Sequence, residues 1–435
     1  MTRRTLGAIV LTVGLVVGGF AAAAGAAGSY YTDGFKKLKP VKEPTSCKNE
    51  PGITDTEIKV GGIVPTSGPQ AASFSSARDG IEARIAKANQ EGELGDRKIT
   101  FDNADDAAET ARNLTAAQDL VENQDVFGVI EASSAAAGSG AYLNKQGVPV
   151  TGWHVGVADW GKYPNMFSFR NSQPKDPSEE FTTRNADVMR KLGAHKIALV
   201  GANVAASATF IEQISKAIAK TKGLKVAYKT TDLTPADREF TGVAQKIKDS
   251  GADGLYTGMD FLQNTALNAA LDQAGVKLRA VVFPGGYDKR VLSVKGINGV
   301  YFGLEFFPFE TNPAPFADYS EWMQKAGKAF EGQIPYIGWL SADTFIRGLK
   351  EAGLKCPTRK AFIANLRLVD DYSADGAFDP VDFSKAFGKI FPCTYYVRVE
   401  NGKFVPQFDG KRICARAVID HGKLRKLQPS ELQGV

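Results

Sequence analysis

From residue 57 onward the chain twice repeats one pattern: a short run of β-branched and aliphatic residues, then a longer stretch whose apolar positions recur every three or four residues. In the first set the β-like runs are 57–64, 98–102, 126–130 and 148–151. Between them, 75–91 carries Ala77, Ile81, Ile85 and Ala88 at helical spacing, and the stretch after Asp106 carries Leu114, Ala117 and Val121. The second set has runs at 196–200, 225–228, 254–258 and 280–283, separated by helical stretches such as 236–250 and 261–274. Strands that alternate with helices pair in parallel, because the helix is the return path. The pattern predicts an α/β protein of two Rossmann-like lobes, each a parallel sheet flanked by helices. Right-handed crossovers gather the carboxyl ends of each sheet's strands on one edge, where such folds take ligands. Two such edges facing each other make a cleft.

At 435 residues the chain exceeds one ordinary core and suits two. Its formal charge of +5 drops to about +3 without Arg3 and Arg4, and the remaining cations are interspersed with acids, which argues against a nucleic-acid partner. Those two arginines precede an apolar run over 6–20 and a small-residue tract ending in Ala24-Gly25-Ala26, the layout of a secretory signal. The apolar stretch 6–27 is also long enough to span a bilayer if uncut. A cleaved signal and an N-terminal membrane anchor both place the rest outside the membrane. Residues 28–51 have no periodicity and read as a linker.

Two extended segments, 166–171 and 299–307, fall at the boundaries of the second set and are expected to be hinge strands. Helices over 316–330, 339–351 and 357–366 should follow, then strands over 394–399 and 403–408 around the hairpin dipeptide Asn401-Gly402. The expected division is 52–172 with 305–370 as one lobe, and 173–304 with 371–435 as the other. Cys47, Cys356, Cys393 and Cys414 are an even number in an exported chain, so two disulfides are expected, and Cys-x-x-Cys spacing is absent. The placement of these cysteines predicts Cys47–Cys356 at the outer pole of the first lobe and Cys393–Cys414 flanking the C-terminal hairpin.

Several segments, in order, carry a family likeness: Gly-Ile-Thr-Asp-Thr-Glu-Ile-Lys-Val-Gly-Gly at 52–62, Pro-Thr-Ser-Gly-Pro at 65–69, the acidic step at 102–107, Phe-Gly-Val-Ile-Glu-Ala-Ser-Ser at 127–134, Gly-Val-Pro-Val at 147–150 and Gly-Ala-Asp-Gly at 251–254. Together they resemble the branched-chain amino acid (Leu/Ile/Val) binding proteins of ABC importers over roughly 52–370. The resemblance implies a type I periplasmic-binding-protein fold, with two lobes joined by three hinge crossings. It also implies a small-molecule ligand, a membrane permease as partner, no cofactor, no metal and no catalysis.

In that family, hydroxyl residues after the third strand hold the ligand's carboxylate at a helix start. Ser133 and Ser134 match, in a segment so rich in Ala, Ser and Gly that a ligand can approach its backbone. Thr151 and Trp153 follow the fourth strand, with Trp153 placed either to stack on a ligand or to fill the core. Phe74 falls where the first lobe covers the ligand. The second lobe departs from the family: Gly285-Gly286-Tyr287 stands where amino-acid binders carry an acid for the ligand's ammonium, although Asp260, one loop away, is placed to replace it. The expected ligand is therefore a carboxylate with an apolar or aromatic body, lined by Trp153, Phe74 and Tyr287, with branched-chain amino acids as the alternative. His154 reads as a bonded polar residue, since His195 and His421 offer no zinc spacing. The chain carries no Gly-x-Ser-x-Gly, His-Glu-x-x-His or Gly-Lys-Ser/Thr motif, which argues against an enzyme. A ligand-sensing ectodomain working with a partner is the other alternative to a transport receptor.

Overall fold

The computed structural model describes residues 39–46, 49–170, 173–311, 314–329 and 332–428. The expected signal or anchor and Cys47 lie outside them. Among the described residues no helix is long and apolar enough to cross a membrane.

The first set folds into a parallel sheet of β1 (Glu57–Ile63), β2 (Lys98–Ala104), β3 (Gly128–Glu131), β4 (Val150–Gly152) and β5 (Met166–Ser168), ordered β2-β1-β3-β4-β5. The short β6 (Glu180–Thr182) follows. The second set gives β7 (Lys196–Ala202), β8 (Lys225–Leu233), β9 (Gly254–Gly258), β10 (Ala280–Phe283) and β11 (Tyr301–Leu304), again parallel. The hairpin β12 (Cys393–Glu400) and β13 (Lys403–Pro406) extends this sheet antiparallel, and β14 (Ile413–Cys414) pairs beside β12. A third, antiparallel sheet joins β6 to β15 (Ala417–Asp420) and β16 (Lys423–Lys426). Met166–Ser168 is thus the last strand of the first sheet, and Tyr301–Leu304 is an inner strand of the second.

Between β11 and β12 the chain returns to the first sheet to build the helices Ala314–Lys325, Gln333–Ala352 and Arg359–Leu366. Gln333–Ala352 lies against the helix Ser76–Glu91 so closely that a Cβ on Gly80 would collide with the Pro335 carbonyl, and one on Gly338 with the Ala77 carbonyl. Arg84 ties the pair at its core: its guanidinium meets Glu93 at 2.7 Å and Asp343 at 2.8 Å with all three side chains largely buried. Crossings between the sheets therefore fall after β5, after β11, and between the last of these helices and β12.

The stretch expected as a linker is, where described, docked on the first lobe's pole. Asn365 accepts from Val41 N at 2.7 Å and donates to Val41 O at 3.0 Å, as a neighbouring strand would. Glu43 accepts from Cys356 N at 2.6 Å, and Glu50 from Arg359 N at 2.6 Å. The expected partner of Cys356 lies outside the described residues. The other pair is formed, Cys393 bonded to Cys414 across β12 and β14.

Candidate functional site

The strand order reverses at two points, between β1 and β3 in one sheet and between β7 and β9 in the other, where crossovers leave in opposite directions and their loops part. A cavity of about 300 Å³ opens there, walled from the first sheet's side by Gln70, Ser73, Phe74, Ser134, Trp153 and His154. From the other side come Ser207, Phe210, Asp260, Gly285 and Tyr287. Five of the expected site residues that the structure brings together here are Phe74, Ser134, Trp153, Asp260 and Tyr287, and Gly285 makes a sixth.

Ser133 and Thr151 are elsewhere. The chain enters a turn at Ser134, and Ser134 takes the cavity side. Ser133 is fully buried beneath it, donating to Asp106 Oδ2 at 2.5 Å and accepting from Ala135 N. Thr151 Oγ1, also fully buried, donates to Ser341 O at 2.8 Å. Nor does a helix start at these serines. Residues 134–139 form turns, and the helix begins only at Gly140, running to Lys145.

Beneath Ser133 lies a closed polar cluster. Asn113 Nδ2 donates to Asp106 Oδ2 at 2.9 Å and to Glu131 Oε1 at 2.7 Å. Burial, reinforced by the nearby Asp106 and Asp159 charges, pushes the Glu131 carboxyl up to about 8. Asp105, in the loop after β2, is the opposite case. It accepts from Thr66 N, Ser67 N and Ala107 N, and these bonds hold it at about 2 despite its desolvation. The acidic step at 102–107 is a set of loop clasps.

Phe74, on the short helix Ala71–Phe74, pairs its ring with Trp153 at 5.8 Å between centroids. Trp153 is half-buried on the cavity wall, and its Nε1 donates to Glu305 Oε2 at 3.0 Å. His154 Nε2 lies 3.3 Å from the other oxygen of Glu305, while His154 Nδ1 accepts from Gly156 N at 3.2 Å. Burial pushes the Glu305 carboxyl up, but His154 and the arginines Arg170 and Arg184 outweigh it and hold the group below its usual value. Val155, next in the wall, has φ of 37°, a left-handed conformation that a β-branched residue adopts only under constraint.

Across the cavity, Asp260 caps the helix Phe261–Gln273, its Oδ1 accepting from Gln263 N at 3.0 Å. Its Oδ2 is buried with no hydrogen-bond partner among the described residues, and burial pushes the carboxyl up. Tyr287 is 2% exposed, donates to Glu310 Oε2 at 2.7 Å and packs on Phe309 and Phe404. It is a wall element more than a free ring. Phe210, on the helix Ala205–Ala219, adds a further ring to this wall.

Gln70, Ser73, His154, Phe210, Glu305 and Gln333 are site residues that the sequence pattern did not single out for ligand contact. Glu305 left a signal, an acid within the apolar run 299–307. The polar loop residues Gln70 and Ser73 left none. Among the described residues no cluster of three His, Cys, Asp or Glu side chains is placed to hold a metal.

Comparison with known proteins agrees with this architecture. A Leu/Ile/Val-binding protein homolog of Brucella melitensis biotype 1 is 25% identical over 234 residues, 53% of this chain and 61% of that protein. The match thus spans less than two thirds of that relative's length. A branched-chain amino acid ABC transporter protein of Thermus thermophilus, solved with bound valine, superposes with a TM-score of 0.70 at 14% identity, over 82% of this chain and 96% of that one. A solute-binding protein of an R. palustris ABC transporter, solved with 4-hydroxybenzoate, does so with a TM-score of 0.65 at 18% identity, over 81% and 95%. The sequence profile of the periplasmic binding proteins matches residues 57–403, and the chain belongs to that family.

Proposed function

We propose that this chain is an extracytoplasmic solute-binding protein that closes two lobes on a small organic ligand and delivers it to the membrane permease of an ABC importer. The observation that supports this most is the cavity at the facing carboxyl edges of two parallel sheets. Its walls combine a few polar side chains with the rings of Phe74, Trp153 and Phe210, the composition of a site that orients an apolar body by a small number of hydrogen bonds. The lobes in this proposal are 52–172 with 305–370 and 173–304 with 371–435, rotating about the three crossings. The basic, apolar and small-residue sequence of the first 27 residues supports export. The work proposed is binding, with no cofactor and no catalytic step.

The ligand carries a carboxylate on an apolar or aromatic body, with Ser134 and Trp153 on the wall that receives it. A second ligand class, the branched-chain amino acids, is favoured by Asp260, whose carboxylate lies in the cavity although Gly285 leaves the family's usual acid position empty of charge. Thermal unfolding of the purified protein against aliphatic and aromatic carboxylates, including 4-hydroxybenzoate, and against leucine, isoleucine and valine is the test. A ligand present at 100 times its dissociation constant adds about 2.7 kcal/mol to stability and raises the melting temperature. A flat response to the whole panel, with unchanged small-angle scattering, would overturn the proposal.

A further inference from the structure

The cavity does not stop at the strand ends. It runs on over the face of the second sheet that the helix Ala205–Ala219 covers, where Phe181, Phe210, Ile214, Tyr256, Ile390 and Phe391 line it. Tyr256 faces this way because its neighbour Leu255 faces the other, alternate residues of a strand pointing to opposite sides of a sheet. The cation in this side chamber is Arg184, the first residue of the helix Arg184–Lys191. Its Nε donates to Asn185 Oδ1 at 3.3 Å and its Nη1 to Phe391 O at 3.1 Å, while Nη2 makes no hydrogen bond among the described residues.

Among the described residues no carboxylate forms an ion pair with Arg184. Asp187, one turn along the same helix, is taken by Arg416 and Arg190. Glu305, whose charge Arg184 feels, already accepts from Trp153 and pairs with His154. Asp260 caps a helix on the opposite face of the sheet. Arg290, the other arginine of the lining, differs, because its guanidinium sits on Asp288 at 2.8 and 2.9 Å. An arginine against an apolar wall is ordinarily paired, and its planar fork fits a carboxylate. On the first sheet's side Ser134 brings a hydroxyl and no charge. We propose that the ligand is two-headed: besides the carboxylate received at the Ser134 wall it carries a second one, held by Arg184, with an apolar or aromatic spacer among the rings of the side chamber. The inference rests on the solute-binding reading and narrows its substrate class to dicarboxylates.

Matched pairs test this directly. Calorimetry on the whole protein would compare hexanedioate with hexanoate, decanedioate with decanoate, and terephthalate with 4-methylbenzoate, so that each pair differs only in the second carboxylate. For at least one spacer the diacid should bind on the order of tenfold to a hundredfold more tightly than its monoacid, the size of a charge-assisted hydrogen bond. In Arg184→Gln that preference should fall to about threefold or less, with the monoacids changed by no more than about twofold. Arg184→Lys keeps the charge without the fork and should retain an intermediate preference. Thermal unfolding checks that both variants fold, and the comparison on the unaltered chain needs neither. Monoacids that bind as tightly as every diacid overturn the inference and leave the solute-binding reading standing. So does a diacid preference that survives Arg184→Gln, or a loss in that variant shared equally by monoacid and diacid, which would make Arg184 the seat of a single carboxylate. No binding in all three pairs, with a response to other compounds of the wider panel, overturns the second carboxylate alone. No binding by any compound overturns the solute-binding reading with it.

Discussion

Two groups of residues at and beneath the cavity walls treat their polar atoms differently. Around 131–154 most hydrogen-bonding side chains are engaged inside the protein, Ser133 with Asp106, Ser134 with Gln70 at 2.8 Å, Thr151 with Ser341 and Trp153 with Glu305, although Glu131 Oε2 is buried with no hydrogen-bond partner among the described residues. At Ser73, Asp260 and Gln333 one buried polar atom each lacks a well-formed hydrogen bond among the described residues, with Ser73 lying close to Asp260. The first group is a preorganised surface whose shape is set before any ligand arrives, and the second has bonding capacity to give. Residue type alone does not separate them, since both are built from hydroxyls, acids and amides. What separates them is whether a neighbour on the same lobe is within reach.

The largest expected effect probes how firmly the engaged stretch is held. Glu131 has a folded carboxyl pKa of about 8 against an ordinary 4.5. The folded protein therefore keeps a proton that the unfolded chain releases above the ordinary value. This contribution is fully present below pH 4.5 and is lost as pH rises toward 8, by up to about 1.4 kcal/mol per pH unit. Glu131→Gln mimics the protonated form, so denaturation midpoints measured across that window should fall less steeply in the variant. Parallel curves would mean that the cluster carries no such proton.

A smaller effect sharpens the comparison. Ser133→Ala removes the hydroxyl bonded to the buried Asp106 and should cost about 1–2 kcal/mol of stability, read from urea unfolding, with ligand affinity unchanged within about twofold. Asp260→Asn is its mirror image, losing affinity and little stability. If Ser133→Ala weakens binding as strongly as Asp260→Asn does, the two stretches are not distinct. The smallest effect is at Trp153→Phe, which keeps the ring against Phe74 and gives up the bond to Glu305. Affinity for an aromatic or branched ligand should drop by about fivefold, near 1 kcal/mol. A loss of a hundredfold would make the indole N–H itself a recognition element.

The sequence read well where periodicity was sustained. The runs expected at 254–258 and 280–283 are β9 and β10 to the residue, and the crossover helices lie within a few positions of their expected ends. β6 and β15 leave no signal in the sequence because three or four residues are too few to show a period, and β6 is a strand through its pairing with the distant β15. At the site, residue type pointed to Ser133 and Ser134 equally, whereas the backbone turns one inward and the other toward the cavity. In place of the helix expected at their position, 134–139 form turns: Ser133 Oγ accepts from Ala135 N, and the Gly and Ser of the run hold a helix less well, so the helix begins only at Gly140. Asp260 stood out as an acid, but whether its second oxygen has a neighbour is a property of packing between distant segments.

The pairing of β15 with β6 joins Ile419 to Phe181, and β12, at 393–400, lies beside β11 within the second sheet. A chain that emerges from its N-terminus has all five strands of the first sheet in hand by residue 168, but the lobe that holds Asp260 lacks pieces until almost the last residue appears. Long loops closed late make for slow assembly. Loss of even the final hairpin would leave the edge of β6 exposed.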